Sequence, residues 1–231
     1  MMSPAAGASP ELRAVLFDMD GTLTDSERLW TIALDRVAAH YGGALRPETR
    51  EAMVGQDMWA TIGLMHRELG VDGTPEATAR MLTDHTLQIF HDGLPFKDGA
   101  GELLAAVKAA GLRTALVTAT YRNLVEVALD TLGHRTFDVI VCGDEVSRNK
   151  PDPEPYLRAL ELLGLPAQDC LVVEDSPTGS RSASLAGIGV LVVPSEIPVP
   201  EAPGLVFAET LVGIDVDRLD QIHSTLLGAR V

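Results

Sequence analysis

Val15-Leu16-Phe17-Asp18-Met19-Asp20-Gly21-Thr22-Leu23 is the stretch on which the reading of this chain turns. Apolar residues run into two carboxylates one residue apart, and a glycine follows at once. Side chains alternate along a strand, so Asp18 and Asp20 leave its end on the same side. Two carboxylates that close repel each other unless a cation lies between them or one holds a proton. An Asp-Gly pair also suits an ordinary turn. What decides between a turn and a site is what the rest of the chain brings to this point.

Four further apolar runs follow the one at 13–17: 113–117, 139–142, 170–173 and 189–193. They are almost continuous in apolar residues, as strands of a parallel sheet covered on both faces are. Helical patterns separate them, at 99–110, 123–132, 153–163 and 177–186. Gly111, Gly133, Gly164 and Gly187 follow as stops, and Pro153 suits a first turn. This alternation predicts an α/β domain with a doubly wound parallel sheet and right-handed crossovers. The first crossover differs. About 70 residues, 26–94, carry only helical patterns (29–40, 47–54, 58–69 and 75–91), and a structureless loop of that length is uncommon in a compact domain. We expect a loose tail over 1–10, a core formed by 11–25 and 95–231, and a helical module over 26–94. That module hangs from the end of the strand that bears Asp18. The remainder holds a Pro-rich stretch at 194–203, a short strand at 205–207 and a helix near 216–227.

The 231 residues are 46% hydrophobic, enough for a substantial core, but only 4% aromatic, so Leu, Val and Ala must fill it. A formal net charge of -15 disfavours nucleic acid or an anionic membrane as partner. No apolar run reaches the ~18 residues of a membrane span, and residues 1–10 lack the features of a signal peptide. Cys142 and Cys170 lie in apolar runs without metal-type spacing, which reads as buried free thiols in a reducing cytoplasm. Nothing in the chain specifies an oligomeric state.

Four elements stand at predicted strand ends: Asp18-x-Asp20-Gly21-Thr22; Thr118 with Ala119-Thr120; Lys150-Pro151-Asp152-Pro153; and Glu174-Asp175-Ser176. In an open α/β sheet, ligands bind outside the carboxyl ends of the strands, where all four would meet. Carboxylates, one lysine and one hydroxyl together suit phosphoryl chemistry. A hard cation such as Mg2+ takes a few carboxylates, waters and phosphate oxygens. Asp18 and Asp175 suit direct ligation, and Glu174 the cation or its water. Lys150 and the cation would neutralise a transferring phosphoryl group. Thr118 and the backbone N–H after it would hold a phosphate oxygen. One aspartate is then free to attack phosphorus and the other to move protons. Singly, each element has a plainer use. Thr118 suits a strand end, Lys150 a solvated loop, and Ser176 the N-cap of the helix after it. Thr24-x-x-Glu27 reads as a capping box for the first inserted helix.

Phe17-Asp18-Met19-Asp20-Gly21-Thr22-Leu23, Thr118, Lys150-Pro151 and Glu174-Asp175-Ser176-Pro177-Thr178-Gly179 together resemble the four motifs of the haloacid dehalogenase superfamily, over about residues 13–193. The resemblance implies a Rossmann-like core with an inserted helical cap, similar to the β-phosphoglucomutase-like subgroup. It further implies Asp18 as nucleophile and Asp20 as general acid/base, with the Asp20 backbone carbonyl on Mg2+. It places Thr118, Ala119 and Lys150 at phosphate-binding positions, and Asp18, Glu174 and Asp175 at the metal.

Departures from the family narrow the reaction. Dehalogenase members lack the second aspartate, which this chain keeps. Phosphonatase members use a cap lysine, and 26–95 contains none. Sugar phosphomutases of the subgroup carry a cap histidine where this chain has Trp30. They also carry a basic residue in the loop that here reads Val54-Gly55-Gln56-Asp57-Met58. The expectation is a Mg2+-dependent phosphatase for a small phosphorylated metabolite, working through an aspartyl-phosphate. A phosphomutase and a binding protein without catalysis stand as alternatives. Trp30, Gln56, Asp57, Met58 and Trp59 are expected to line the leaving-group side, although Trp59 has helical spacing from Ile62 and Met65 and also suits a core position.

Overall fold

The computed structural model describes residues 11–53, 56–195 and 197–228. The expected tail at 1–10 and the loop residues Val54 and Gly55 lie outside them. Strand β1 (Ala14–Phe17) leads into four helices, α1 (Glu27–His40), α2 (Pro47–Met53), α3 (Met58–Leu69) and α4 (Pro75–His91). The α/β succession follows: α5 (Ala100–Ala109), β2 (Arg113–Val117), α6 (Arg122–Leu132), β3 (Val139–Val141), α7 (Glu154–Leu163), β4 (Cys170–Glu174), α8 (Pro177–Leu185) and β5 (Gly189–Val192). Strand β6 (Leu205–Phe207) and helix α9 (Val216–Gly228) complete it. All pairings are parallel, in the order β3-β2-β1-β4-β5-β6.

The near-continuous apolar strands are explained by two cores. Val15, Phe17, Leu116, Leu171, Val173 and Leu191 point to one face, where α5, α6 and α9 cover them. Ala14, Leu16, Ala115, Val117, Val172 and Val190 point to the other, where α7 and α8 supply Tyr156, Ala159, Leu163 and Ala183. Alternate residues of one strand therefore enter different cores, and both faces of the sheet are mainly apolar. Chain order runs outward from β1 to β3, then returns to β4. The reversal places a crevice between the carboxyl ends of β1 and β4, where doubly wound sheets bind ligands.

Helices α1–α4 build a third apolar cluster of their own, from Ala33, Val37, Leu45, Met53, Met65, Leu82 and Ile89. Two short segments join them to the sheet layer as a ribbon. Asp25 N–H donates to the Pro95 carbonyl and Lys97 N–H to that of Leu23, each at 2.9 Å, with Thr24 bridged to Phe96.

One expectation is corrected here. Thr24 does not cap α1. The helix begins at Glu27 after Ser26, and Ser26 makes no side-chain capping bond. Thr24 belongs to the turn after β1, where its hydroxyl donates to the Met19 carbonyl at 3.1 Å. Glu27 instead accepts from Ser195, which follows β5. The spacing suited a cap, but the turn claimed the threonine first. Ser176 does cap α8, its hydroxyl accepting from Gly179 N–H at 3.1 Å. Cys142 and Cys170 are buried free thiols, as read. No helix among the described residues is long and apolar enough to cross a membrane.

Candidate active site

β1 hands the chain to a tight turn rather than to an extended strand end. Leu23 and Thr24 N–H both donate to the Met19 carbonyl at 2.9 Å, while Met19 and Leu23 are sealed in the core. Gly21 makes the turn possible. Its φ is +80°, and a Cβ there would stand 2.1 Å from Asp175 Oδ2. Thr22, next in the turn, donates to Asp175 Oδ1 at 3.2 Å. The turn thus seats one motif directly on another, 153 residues away in sequence.

Lys150 joins the remaining pieces. Its Nζ donates to Asp18 Oδ1 and to Glu174 Oε1, both at 2.6 Å, and the side chain is only 5% exposed. Its ammonium also lies 5.1 Å from the centre of the Tyr156 ring. Burial alone would lower the lysine's pKa, but pairing with Asp18 and Glu174 outweighs it and holds the group well above its usual value. Glu174 is fully buried and accepts from five donors: Lys150, the Tyr156 hydroxyl, Asp175 N–H, Ser176 N–H and the Ser176 hydroxyl. A carboxylate has about four lone-pair sites, so protein groups already occupy those of Glu174.

Asp18, Glu174 and Asp175 present oxygens that all lie within 4.8 Å of one another. One ammonium faces three buried carboxyls, so the charge does not balance. Burial, followed by repulsion from Asp18 and Glu174, pushes Asp175 up to about 9. Burial also raises Asp18 to about 7, against the pull of Lys150 and with further repulsion from Glu174 and Asp20. A divalent cation would supply the missing charge. The donor set, all oxygen and mainly carboxylate, suits Mg2+. Asp18 and Asp175 have the capacity to touch it, and the saturated Glu174 is better placed to hold Lys150.

Asp20 lies apart from this group. Its Oδ1 accepts from Ser26 Oγ at 2.6 Å and Trp30 Nε1 at 3.0 Å. Its Oδ2 accepts from Thr120 Oγ1 at 2.7 Å and Thr118 Oγ1 at 3.4 Å. The two aspartates of the opening motif therefore have unlike surroundings, one ionic and one made of neutral donors. Thr118 is buried at the end of β2. Ala119 is half-buried, and its carbonyl lies so close to Gly143 that a Cβ on Gly143 would stand 2.0 Å away.

All the expected site residues thus meet at one end of the sheet. Ser26 and Tyr156 join them unforeseen. Thr120, named with Thr118 at the end of its apolar run, joins as well, since side chains two apart share a side. The expected leaving-group residues divide: Trp30 reaches Asp20, Trp59 is 48% exposed rather than core, and Asp57 accepts from Ala60 N–H as the N-cap of α3.

The family model for haloacid dehalogenase-like hydrolases matches residues 15–193. Protein CbbY of Rhodobacter capsulatus is 35% identical over 197 residues, covering 80% of this chain and 87% of that protein. The phosphorylated carbohydrates phosphatase of Thermotoga maritima is 33% identical over 178 residues, covering 77% and 82%. The crystal structure of CbbY from Rhodobacter sphaeroides in complex with phosphate superposes with a TM-score of 0.81 at 29% identity, covering 90% of this chain and 99% of that one. The chain belongs to the haloacid dehalogenase-like hydrolase family and is an enzyme of that type.

Two predictions follow from the geometry. Gly179 is the third residue of α8, where alanine would ordinarily favour the helix by about 1 kcal/mol. Here a Cβ would stand 1.7 Å from Glu174 Oε1 and 2.0 Å from its Cδ. Gly179→Ala should therefore lower the melting temperature, and a gain in thermal unfolding would contradict the packing. The second concerns pH. Asp18 and Asp175 hold their protons above the ordinary value of 3.8, to about 7 and about 9, so the folded state binds more protons than the unfolded chain in that window. Stability from this pair is present in acid and is lost as pH rises through it. A cation that needs both carboxylates ionised should raise the melting temperature more at about pH 8 than at about pH 5. At ~100 times its dissociation constant the rise should be roughly 5–10 °C. Scanning calorimetry with Mg2+ or EDTA tests this, and equal shifts at both pH values would contradict it.

Proposed function

We propose that this chain is a Mg2+-dependent phosphatase acting on a small phosphorylated metabolite, a carbohydrate phosphate or similar, through a phosphoryl group carried on Asp18. The observation that carries the reading is the separation of Asp18 from Asp20. Asp18 lies against Lys150 at 2.6 Å, among the carboxylates, where a dianionic phosphate can be neutralised. Asp20 lies among hydroxyls and an indole N–H at the seam with the helical layer, where the alcohol must leave. Two carboxyls in different surroundings can take different roles, as nucleophile and as acid/base.

In the first half-reaction an Asp18 oxygen attacks phosphorus. The new Oδ–P bond forms as the P–O bond to the alcohol breaks, and Asp20 gives its proton to the departing oxygen. In the second, Asp20 takes a proton from water as that water attacks phosphorus, releasing phosphate and restoring Asp18. Lys150 offsets the negative charge of the phosphoryl oxygens. The Thr118 hydroxyl and the Ala119 N–H orient one of them. Asp18, Asp175 and the Asp20 carbonyl would hold the Mg2+, with Glu174 fixing Lys150. When bound, the cation lowers the repulsion between substrate and carboxylates. Helices α1–α4 act as a cap that keeps bulk water from the site.

A phosphomutase would share the first half-reaction and give the phosphoryl group to a second sugar hydroxyl. The loop 54–58, where phosphomutases of the subgroup carry a basic residue, has none in this chain, and 26–95 contains no lysine. Water needs no such hold. Support for the carbohydrate class comes from the Thermotoga maritima relative, a phosphorylated carbohydrates phosphatase.

Phosphate release from a panel of sugar, polyol and small-acid phosphates, with Mg2+ or EDTA, tests the proposal. Release should require Mg2+, and Asp18→Asn should lower it at least about a thousand-fold with the fold retained by circular dichroism. Near-normal turnover by Asp18→Asn would overturn the mechanism. A sugar isomer formed in excess of free phosphate would replace the phosphatase with the mutase.

A further inference from the structure

Trp30 belongs to the helical layer, yet its indole N–H is spent on a residue of the sheet layer. We infer that Trp30 is a positioning residue for Asp20: it fixes the carboxyl across the seam between the layers and leaves Oδ2 as the oxygen that delivers the proton. The inference rests on the acid/base role proposed above for Asp20.

The four donors to Asp20 are divided by oxygen. Oδ1 takes Ser26 and Trp30, from the start of the helical layer, at 2.6 and 3.0 Å. Oδ2 takes Thr120 and Thr118, from the loop after β2, at 2.7 and 3.4 Å. The carboxyl is thus stretched between two layers, with one oxygen assigned to each.

The donors are not equivalent. Hydroxyls of Ser26, Thr118 and Thr120 can turn and accept. An indole N–H can only donate. Whatever faces Trp30 must remain an acceptor, so a proton on Asp20 has its place on Oδ2. That oxygen neighbours Thr118, assigned above to phosphate binding. The indole therefore does what a hydroxyl could not, by excluding one of two proton positions.

Packing holds the ring independently of the bond. Trp30 stands edge-on to Phe90, with centroids 6.0 Å apart and planes at 78°. Phe90 is buried near the end of α4, and Trp30 packs against both the sheet-layer core and the helical cluster. Lost seating of α1 or α4 would carry the N–H away from Asp20. Proton delivery is thereby tied to the placement of the helical layer over the site.

Trp30→Phe keeps a ring against Phe90 and removes only the donor. The readout is leaving-group dependence. The kcat/KM value reports steps through departure of the alcohol. A carbohydrate alkoxide needs a proton to leave, whereas p-nitrophenolate does not. We expect Trp30→Phe to lower kcat/KM for the best carbohydrate phosphate by ~10- to 100-fold, part of what a general acid contributes. For p-nitrophenyl phosphate it should stay within about two-fold. Equal losses on both substrates would mean that Trp30 only supports the fold, and would overturn the inference.

A second readout does not depend on turnover. The chain has two tryptophans, Trp30 and Trp59, so its nitrogen–proton spectrum holds two indole signals, assigned with Trp30→Phe. Asp20→Ala should move the Trp30 signal upfield and leave that of Trp59 in place. A Trp30 signal that does not move would overturn the inference whatever the kinetics. Absence of turnover on every phosphate ester would remove the proposed function and with it the positioning role, while the signal would still report the bond.

Discussion

A buried ammonium held between two buried carboxylates is the interaction on which this site depends. Lys150 reaches from the loop after β3 to Asp18, at the end of β1, and to Glu174, the last residue of β4. It therefore ties the loop after β3 to the ends of β1 and β4. Breaking such a pair strands a charge in the interior, at a cost of several kcal/mol. The surrounding residues make its retention possible. Tyr156 and the start of α8 saturate Glu174, and Gly179 leaves room for its carboxyl where any side chain would intrude. The arrangement is nonetheless incomplete in charge. The site is built to bind charge from solution, and phosphate with its cation is the cargo that we propose.

Two aspartates separated by one residue could have competed for the same partner. The turn at Gly21 prevents this. It folds residues 19–24 back on themselves and directs Asp18 to the ionic group and Asp20 to the seam. The difference in environment follows from a backbone event of a few residues, and the division of chemical labour that we propose rests on it. The helical layer reaches the seam through Ser26 and Trp30, which both donate to Asp20.

The fold could be read from the sequence because the strands are almost continuously apolar and a glycine follows each of the four helices between them. The placement of Asp18, Thr118, Lys150 and Glu174 could also be read, since a parallel sheet collects whatever stands at its strand ends. Which of them would bond was not readable. Thr24 and Glu27 have capping-box spacing, but Thr24 is used inside the turn and Glu27 by Ser195, 168 residues later. Tyr156 packs in the core with the apolar residues of α7, apart from its hydroxyl on Glu174. Trp30 could be placed from the sequence on the leaving-group side, where the subgroup's phosphomutases carry a histidine, but its partner could not be read. Its role at Asp20 comes from the position of α1 over the sheet, which spacing along the chain does not encode.

The central claim is that phosphoryl groups pass through Asp18. Rapid quenching of the enzyme during turnover of a radiolabelled substrate, followed by acid-stable peptide mapping, tests it most directly. The account predicts label on the peptide containing Asp18, appearing only with Mg2+ present and chased by unlabelled substrate. Steady phosphate release with no labelled peptide, or with label on a different residue, would contradict it.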